Sequence, residues 1–376
     1  MREMCESKYN FELKRRKEDY LLIRIYKKQN WRMLCLKVTL TLSFFASLAP
    51  TDALAQEKPV NPPSAQDIYR ERRTLYDQIS VVSGVPWYYL AAIDQYERTM
   101  TKAHPKDRAH EERLTNVFFE PRRWTGILNP DQQDKNPVSI ALFGGLGLDG
   151  TGDNKADPEN NVDVLFTMSR VASKYGLSAD DIGISLWHYY QNTRAVQRIQ
   201  QFARIYKHFD TLELSKHAFP LPLGNMYSYR STWGTSRSWG GRRIHEGTDL
   251  FAPHGLTVRS TCYGIIEIKG WNPFGGWRVG IRDLDNHYHY YAHLSGFEKG
   301  VHVGSIVTPG QTLGWVGSSG YGKPGTQGKF PPHLHYGIYR DTGLTEWSFD
   351  PYPSLHRWEN EERKALQAKK KKKTSS

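Results

Sequence analysis

From Ile68 the apolar positions Ile68, Leu75, Ile79 and Val82 recur at spacings of 7, 4 and 3 and stop at Gly84. That is the period of an amphipathic helix closed by a glycine. A second helix is predicted from Pro86, with Leu90, Ile93 and Glu97 on one face, because residues three and four apart lie above one another. After a loop rich in glycine and aspartate at 144–157, Asp157-Pro158 opens a further predicted helix that carries Leu165, Met168, Ala172 and Tyr175 and ends at Gly176. Residues 179–207, with Ile184, Trp187, Val196, Ile199, Phe202 and Ile205, continue the helical period. Residues 65–210 therefore read as an all-α domain.

The pattern changes across 211–223, where AFPLPLG marks a boundary. Beyond it, short β-rich runs at 264–268, 277–282, 288–294 and 334–339 are separated by Gly, Pro and Asn. Residues 224–356 are predicted as a mainly antiparallel β domain, and the chain as multidomain. Strand residues two apart share a face. His333, His335 and Gly337 therefore face one way and Leu334, Tyr336 and Ile338 the other, while His289, Tyr291 and His293 fall together. The apolar side must be core, which leaves two imidazoles and a glycine facing an open groove.

A length of 376 residues suggests two or three domains, and 38% hydrophobic with 13% aromatic residues excludes disorder throughout. A mean hydropathy of -0.65 excludes a polytopic membrane protein. The apolar run at 38–49, VTLTLSFFASLA, follows Arg32 and Lys37 and precedes Ala53-Leu54-Ala55. Residues 1–55 are thus predicted as a basic segment with an export signal cut after Ala55, a membrane anchor holding the protein outside being the alternative. Residues 56–64 form a Pro-rich linker.

The formal net charge is +12, and without residues 1–55 much of the excess is the lysine run at 369–373. Residues 357–376 are predicted as a solvated, disordered basic tail, or as an attachment to anionic wall polymers; nucleic acid is not expected. Of the cysteines Cys5, Cys35 and Cys262, the first two precede the apolar run. A disulfide framework and an all-cysteine metal site are excluded, so metal chemistry must rest on histidines and carboxylates.

Three pieces of the β domain carry such residues: His245-Glu-Gly-Thr-Asp249, His293 within YYAHL, and His333-Leu-His335. A catalytic zinc site takes three ligands from His, Asp or Glu and leaves a position for water, and two histidines with one aspartate satisfy it. Further imidazoles beside the ion can move protons and stabilise an oxyanion. His287, His289 and His302 are predicted as surface residues, with His289 sharing the parity of His293 and so able to line the groove. His188 and His254 are predicted as structural and Cys262 as a buried small side chain.

With these motifs, residues 241–340 resemble the lysostaphin/LytM-type zinc peptidoglycan endopeptidases, also through Gly-Thr-Asp-Leu-Phe-Ala-Pro and the glycine-rich stretch from Pro309. The resemblance implies zinc ligands His245, Asp249 and His335, with His293 and His333 flanking the activated water as base and oxyanion stabiliser. It implies an exported enzyme that hydrolyses peptide bonds of peptidoglycan, between L-alanine and D-glutamate or in the cross-bridge. A non-catalytic scaffold or activator of the same fold is the alternative.

Residues 65–210 resemble lysozyme-like lytic transglycosylases, through VPWYYLAAIDQYER at 85–98, DGTGDNKADPENN and WHYYQNTRAVQRI. Glu97 falls where that family's catalytic acid sits, but Arg98 stands where the family usually has Ser. An adjacent cation would hold Glu97 ionised, so this domain is predicted as glycan-binding or structural, with glycan cleavage as the alternative. Asp149, Thr151, Asp153 and Asp157 lack the full calcium-loop pattern and are predicted as a solvated turn.

Overall fold

The computed structural model describes residues 64–104, 113–238 and 241–374. The predicted export segment at 1–55 and most of the linker at 56–64 lie outside the described residues. Ser64 opens α1 (Ala65–Ser83) with a capping box. Its hydroxyl accepts the Asp67 amide and the Asp67 carboxylate accepts the Ser64 amide. Gly84 closes the helix at φ 76°, where a side chain would be strained. α2 (Trp87–Ala103) buries Leu90, Ile93 and Glu97 together. Two short helices, α3 (Pro121–Thr125) and α4 (Pro137–Leu142), precede α5 (Asn161–Ala172). α5 starts later than the Asp157-Pro158 signal because the Asn160 side chain accepts the Val162 amide and sets the cap there.

The continuous period at 179–207 divides into α6 (Ala179–Tyr190) and α7 (Thr193–Phe209). Gln191 is left-handed at φ 50° and Asn192 caps α7, so polar groups at the junction turn the chain although the apolar spacing runs through it. In the Gly/Asp loop, Asp149 accepts the amides of Thr151, Gly152 and Asn154, and Asp163 those of Gly150, Thr151 and Asp157. The loop is a turn held by its own Asp149 and by Asp163 from the first turn of α5.

The main sheet runs β1 (Ser228–Tyr229), β4 (Thr248–Phe251), β11 (His333–Asp341), β8 (His287–Phe297), β7 (Gly276–Asp283), β6 (Gly264–Asn272) and β9 (Ile306–Val307), with antiparallel neighbours throughout. β10 (Thr312–Val316) pairs with β8 and with β5 (Thr257–Arg259), and β12 (Glu346–Phe349) with β11. A separate hairpin joins β2 (Ser236–Arg237) to β3 (Arg243–Ile244). Leu334, Tyr336 and Ile338 are buried with Tyr291, Leu250, Val279 and Ile281, so β11 alternates as its sequence predicts.

The predicted disordered tail is corrected, since α8 (Tyr352–Thr374) includes most of it. Leu355 and Trp358 enter the β core, Glu359 accepts the hydroxyls of Tyr227 (2.6 Å) and Tyr229 (2.5 Å), and Glu362 pairs with Arg259 at 3.0 Å. Residues 355, 358, 359 and 362 share one helical face, and that face is docked. The lysines at 369–373 are exposed at its C-terminal end, where cations complement the helix dipole.

Pro62–Ser376 form one compact unit. Ile265 and Leu284 of the β part belong to the helical core, and Gln95 donates to the Leu284 carbonyl at 2.8 Å. Arg198 of α7 pairs with Asp341 (3.0 Å), Glu346 (3.2 Å) and Glu267, while Arg282 pairs with Glu267 (3.1 Å) and Glu346. Charges buried this deeply persist only when partnered. Among the described residues no helix is long and apolar enough to cross a membrane.

Candidate functional site

β4 and β11 pair so that His335 stands opposite Asp249, and His245 arrives from the turn after β3. The three predicted ligands converge: Asp249 Oδ1 lies 3.0 Å from both His245 Nε2 and His335 Nδ1, and those two nitrogens are 2.9 Å apart. The chemistry of this triangle fits a cation. His245 Nδ1 sits 2.9 Å from the Thr232 carbonyl oxygen, which can only accept, so Nδ1 carries the hydrogen and Nε2 presents a bare lone pair. At most one proton, on His335 Nδ1, is then shared among three acceptors in mutual contact. A tetrahedral zinc centre takes such donors at about 2.0–2.2 Å, which places them ~3.3 Å apart, close to the separations here.

Neighbouring groups hold the triangle. Arg237 donates to Asp249 Oδ2 at 2.6 Å, turning Oδ1 toward the imidazoles. Burial would raise the Asp249 carboxyl, but the adjoining His245 and His335 imidazoles outweigh it and hold it well below the usual carboxylate range. Gly247 is required by close approach: a Cβ there would meet the Tyr336 carbonyl oxygen at 2.5 Å and His335 Cε1 at 2.7 Å.

His293 and His333 border the triangle. Their ring centres are 4.8 Å apart, His293 lies 5.9 Å from the His335 ring, and His333 Nε2 is 3.8 Å from Asp249 Oδ1. His293 Nδ1 faces the Ser319 carbonyl at 2.7 Å and His333 Nδ1 the Pro331 carbonyl at 2.8 Å. Each Nδ1 is therefore a donor and each Nε2 an acceptor. Burial pushes both imidazoles below their ordinary pKa, for His293 reinforced by the charges of His333 and His335, so both favour the neutral form.

The predicted grouping of His289 with His293 is corrected. His293 has φ 62°, and the pairing of β8 shifts register beside it on both flanks. The bulge reverses the alternation, turning His293 into the groove while His289 and Tyr291 point into the core. His289 is 1% exposed, with Nε2 at 2.9 Å from Asp283 and Nδ1 at 2.7 Å from the Tyr336 hydroxyl. Cys262, Asp283 and His289 form a second, fully buried cluster, but hydrogen bonds satisfy both of its ring nitrogens. Cys262 is buried and unbridged, His302 is exposed as predicted, and His188 and His254, predicted as structural, are exposed too.

The triangle opens onto a cavity of about 530 Å³ whose walls include Arg243, Arg278, Phe274, Tyr290, Tyr321 and Phe330. In the helical part Glu97 is buried and accepts the Tyr190 hydroxyl at 2.6 Å, beside a separate cavity of about 440 Å³ with Glu120, Arg123 and Tyr189. Arg98, predicted to hold Glu97 ionised, pairs with Asp94 at 3.0 Å, one helical turn back. Sequence reasoning missed Arg237, Thr232, Ser319 and Pro331. The last three act here through carbonyl oxygens, which leave no side-chain signature, and Arg237 sits in a two-residue strand with no periodic signal.

A family model described as peptidase family M23 matches residues 243–351. The L-Ala--D-Glu endopeptidase of Bacillus subtilis (strain 168) is 53% identical over 295 residues, which cover 78% of this chain and 90% of that protein. The chain belongs to peptidase family M23. Lysostaphin of Staphylococcus staphylolyticus is 35% identical over 114 residues, 30% of this chain and 22% of that one. Among solved structures, the catalytic domain of the antimicrobial peptidase lysostaphin from Staphylococcus simulans is 29% identical with a TM-score of 0.30, covering 38% of this chain and 99% of that domain.

Proposed function

We propose that this M23 endopeptidase hydrolyses the bond between L-alanine and D-glutamate in the stem peptides of peptidoglycan, with zinc held by His245, Asp249 and His335. The observation that carries the bond assignment is the 53% identity to the Bacillus subtilis enzyme over 90% of its length, a match that reaches well beyond residues 243–351. Zinc bound by two imidazoles and one carboxylate acts as a Lewis acid that polarises a carbonyl and makes water a nucleophile near neutral pH.

The chain's own residues supply the rest. His293 Nε2 and His333 Nε2 are acceptors on neutral rings anchored through Nδ1. One of them takes a proton from the attacking water and returns it to the departing D-glutamate amine, while the Nε2 of the other accepts a hydrogen bond from the hydroxyl of the tetrahedral intermediate and so stabilises it. Water thus divides into the new alanine carboxyl and the new amino group. Along β11, His333 and His335 border the cavity, and an extended peptide can lie against them. In this reading the enzyme works outside the cytoplasm, the predicted signal directs export, and the exposed lysines at 369–373 hold anionic wall polymers. The polar and aromatic cavity beside Glu97 supports a glycan-holding role for a lysozyme-like helical part.

Digestion of purified peptidoglycan followed by mass analysis tests this. The expected fragments carry new D-glutamate amino termini and new alanine carboxyl termini. New glycine termini would move the cut to a cross-bridge, and anhydro-sugar ends would move the activity to the helical part.

A further inference from the structure

Resting on the proposed cut between L-alanine and D-glutamate, we infer that Arg243 and Arg278 form a subsite that recognises the free carboxylate of the glutamate at the scissile bond. A glutamate joined to alanine through its amine still has two carboxyl groups, and a linear stem uses only one of them for its next link. The other reaches the groove as an anion within one residue of the reacting carbonyl.

Both arginines line the cavity that holds the His245, Asp249 and His335 triangle. Among the described residues neither guanidinium has an ion-pair partner, and the Nε of each is buried without a hydrogen-bond partner. Arg243 stands directly across the β2–β3 hairpin from Arg237. Like charges so placed repel, and a counter-charge on either side relieves the repulsion. Arg237 has Asp249 at 2.6 Å, whereas among the described residues Arg243 has no acidic partner and lies over the Phe274 ring, with Cζ 5.1 Å from its centre. Arg278 hydrogen-bonds the Tyr290 hydroxyl, with Cζ 6.0 Å from the ring centre, and that ring meets His335 edge-on at 5.9 Å. The second guanidinium is thus one aromatic ring removed from a proposed metal ligand.

The Phe274 face steadies the Arg243 guanidinium while leaving its in-plane N–H fork to take a carboxylate, and Arg278, held at one end by the Tyr290 hydroxyl, keeps its other donors for the same anion. The acids already in the groove are engaged elsewhere. Asp249 faces Arg237 and the imidazoles, and Glu246 accepts the Tyr339 hydroxyl at 3.1 Å. A cross-bridge built of glycine offers no such carboxylate, so the same pair of arginines would also discriminate between the two kinds of peptide.

The test compares two synthetic stem peptides on the full zinc-loaded chain, one with the spare glutamate carboxyl free and one with it amidated. The wild type is expected to favour the free acid by about tenfold to a hundredfold in kcat/KM, the range for one lost charge-assisted recognition. In Arg243→Gln and Arg278→Gln that ratio should fall toward unity, and Arg→Lys at either position should keep part of it as a point charge without the fork. Equal cleavage of both peptides by the wild type, or a ratio unmoved in the Gln variants, overturns the subsite and leaves the bond assignment standing. Cleavage of both peptides at some other bond overturns the bond assignment and the subsite together. The wild-type comparison requires no variant to fold.

Discussion

Asp249 is asked to do two things at once: face two imidazoles with Oδ1 and remain ionised in a buried place. Arg237 makes both possible from the other side, through one donated hydrogen bond to Oδ2 at 2.6 Å. Groups of this kind orient a ligand without touching the ion, and their loss costs about tenfold to a hundredfold in metal affinity. Arg237→Ala is therefore expected to weaken zinc retention by that order in a chelator competition, with Arg237→Lys recovering part of it. Affinity unchanged in Arg237→Ala would remove Arg237 from the account. Nothing in the sequence pointed to this residue. His245 and Asp249 were legible because their chemistry is rare and their spacing fixed, whereas the arginine that steadies them lies in a two-residue strand of a small hairpin.

At the scale of elements, alternation was a sound guide wherever a strand stayed regular. β11 buries Leu334, Tyr336 and Ile338 and turns His333 and His335 the other way, as period two requires. On β8 the same rule failed, since one residue with φ 62° shifts the register and separates His293 from His289. Such a left-handed, non-glycine residue is costly and persists where its surroundings enforce it; here the Gly275 carbonyl accepts the His293 amide at 2.7 Å and the Ser319 carbonyl holds its ring. A hydrophobic pattern records which side chains are buried, but a bulge is set by neighbouring backbone. The helices show the same division. Apolar spacing located α6 and α7, while their break at Gln191 and Asn192 depends on capping by a polar residue.

At the scale of the whole molecule, the helical and β parts are not independent. Arg198 of α7 is 5% exposed and meets three acids contributed by the β part. α8 then continues far beyond residue 356, covering the β core with Leu355 and Trp358 and tying it through Glu359 and Glu362. A fragment limited to residues 224–356 would leave Glu267 and Asp341 without Arg198 and would cut α8 within its first turns. Removing one partner from a buried ion pair costs about 3–5 kcal/mol. Arg198→Ala in the full chain is expected to lose stability of that order in denaturant unfolding, and the fragment to unfold at lower denaturant still. A fragment as stable as the full chain would show that the seam contributes nothing. This dependence escaped the sequence because each arginine and glutamate of the seam reads, in isolation, as a solvated surface charge.

The central claim is that His245, Asp249 and His335 hold one catalytic zinc ion, and metal content measured on the purified full chain tests it most directly. The wild type should carry about one zinc per chain. His335→Ala should lose the ion and the ability to release stem-peptide fragments while keeping its circular dichroism spectrum. Full zinc content and undiminished digestion in that variant would contradict the account.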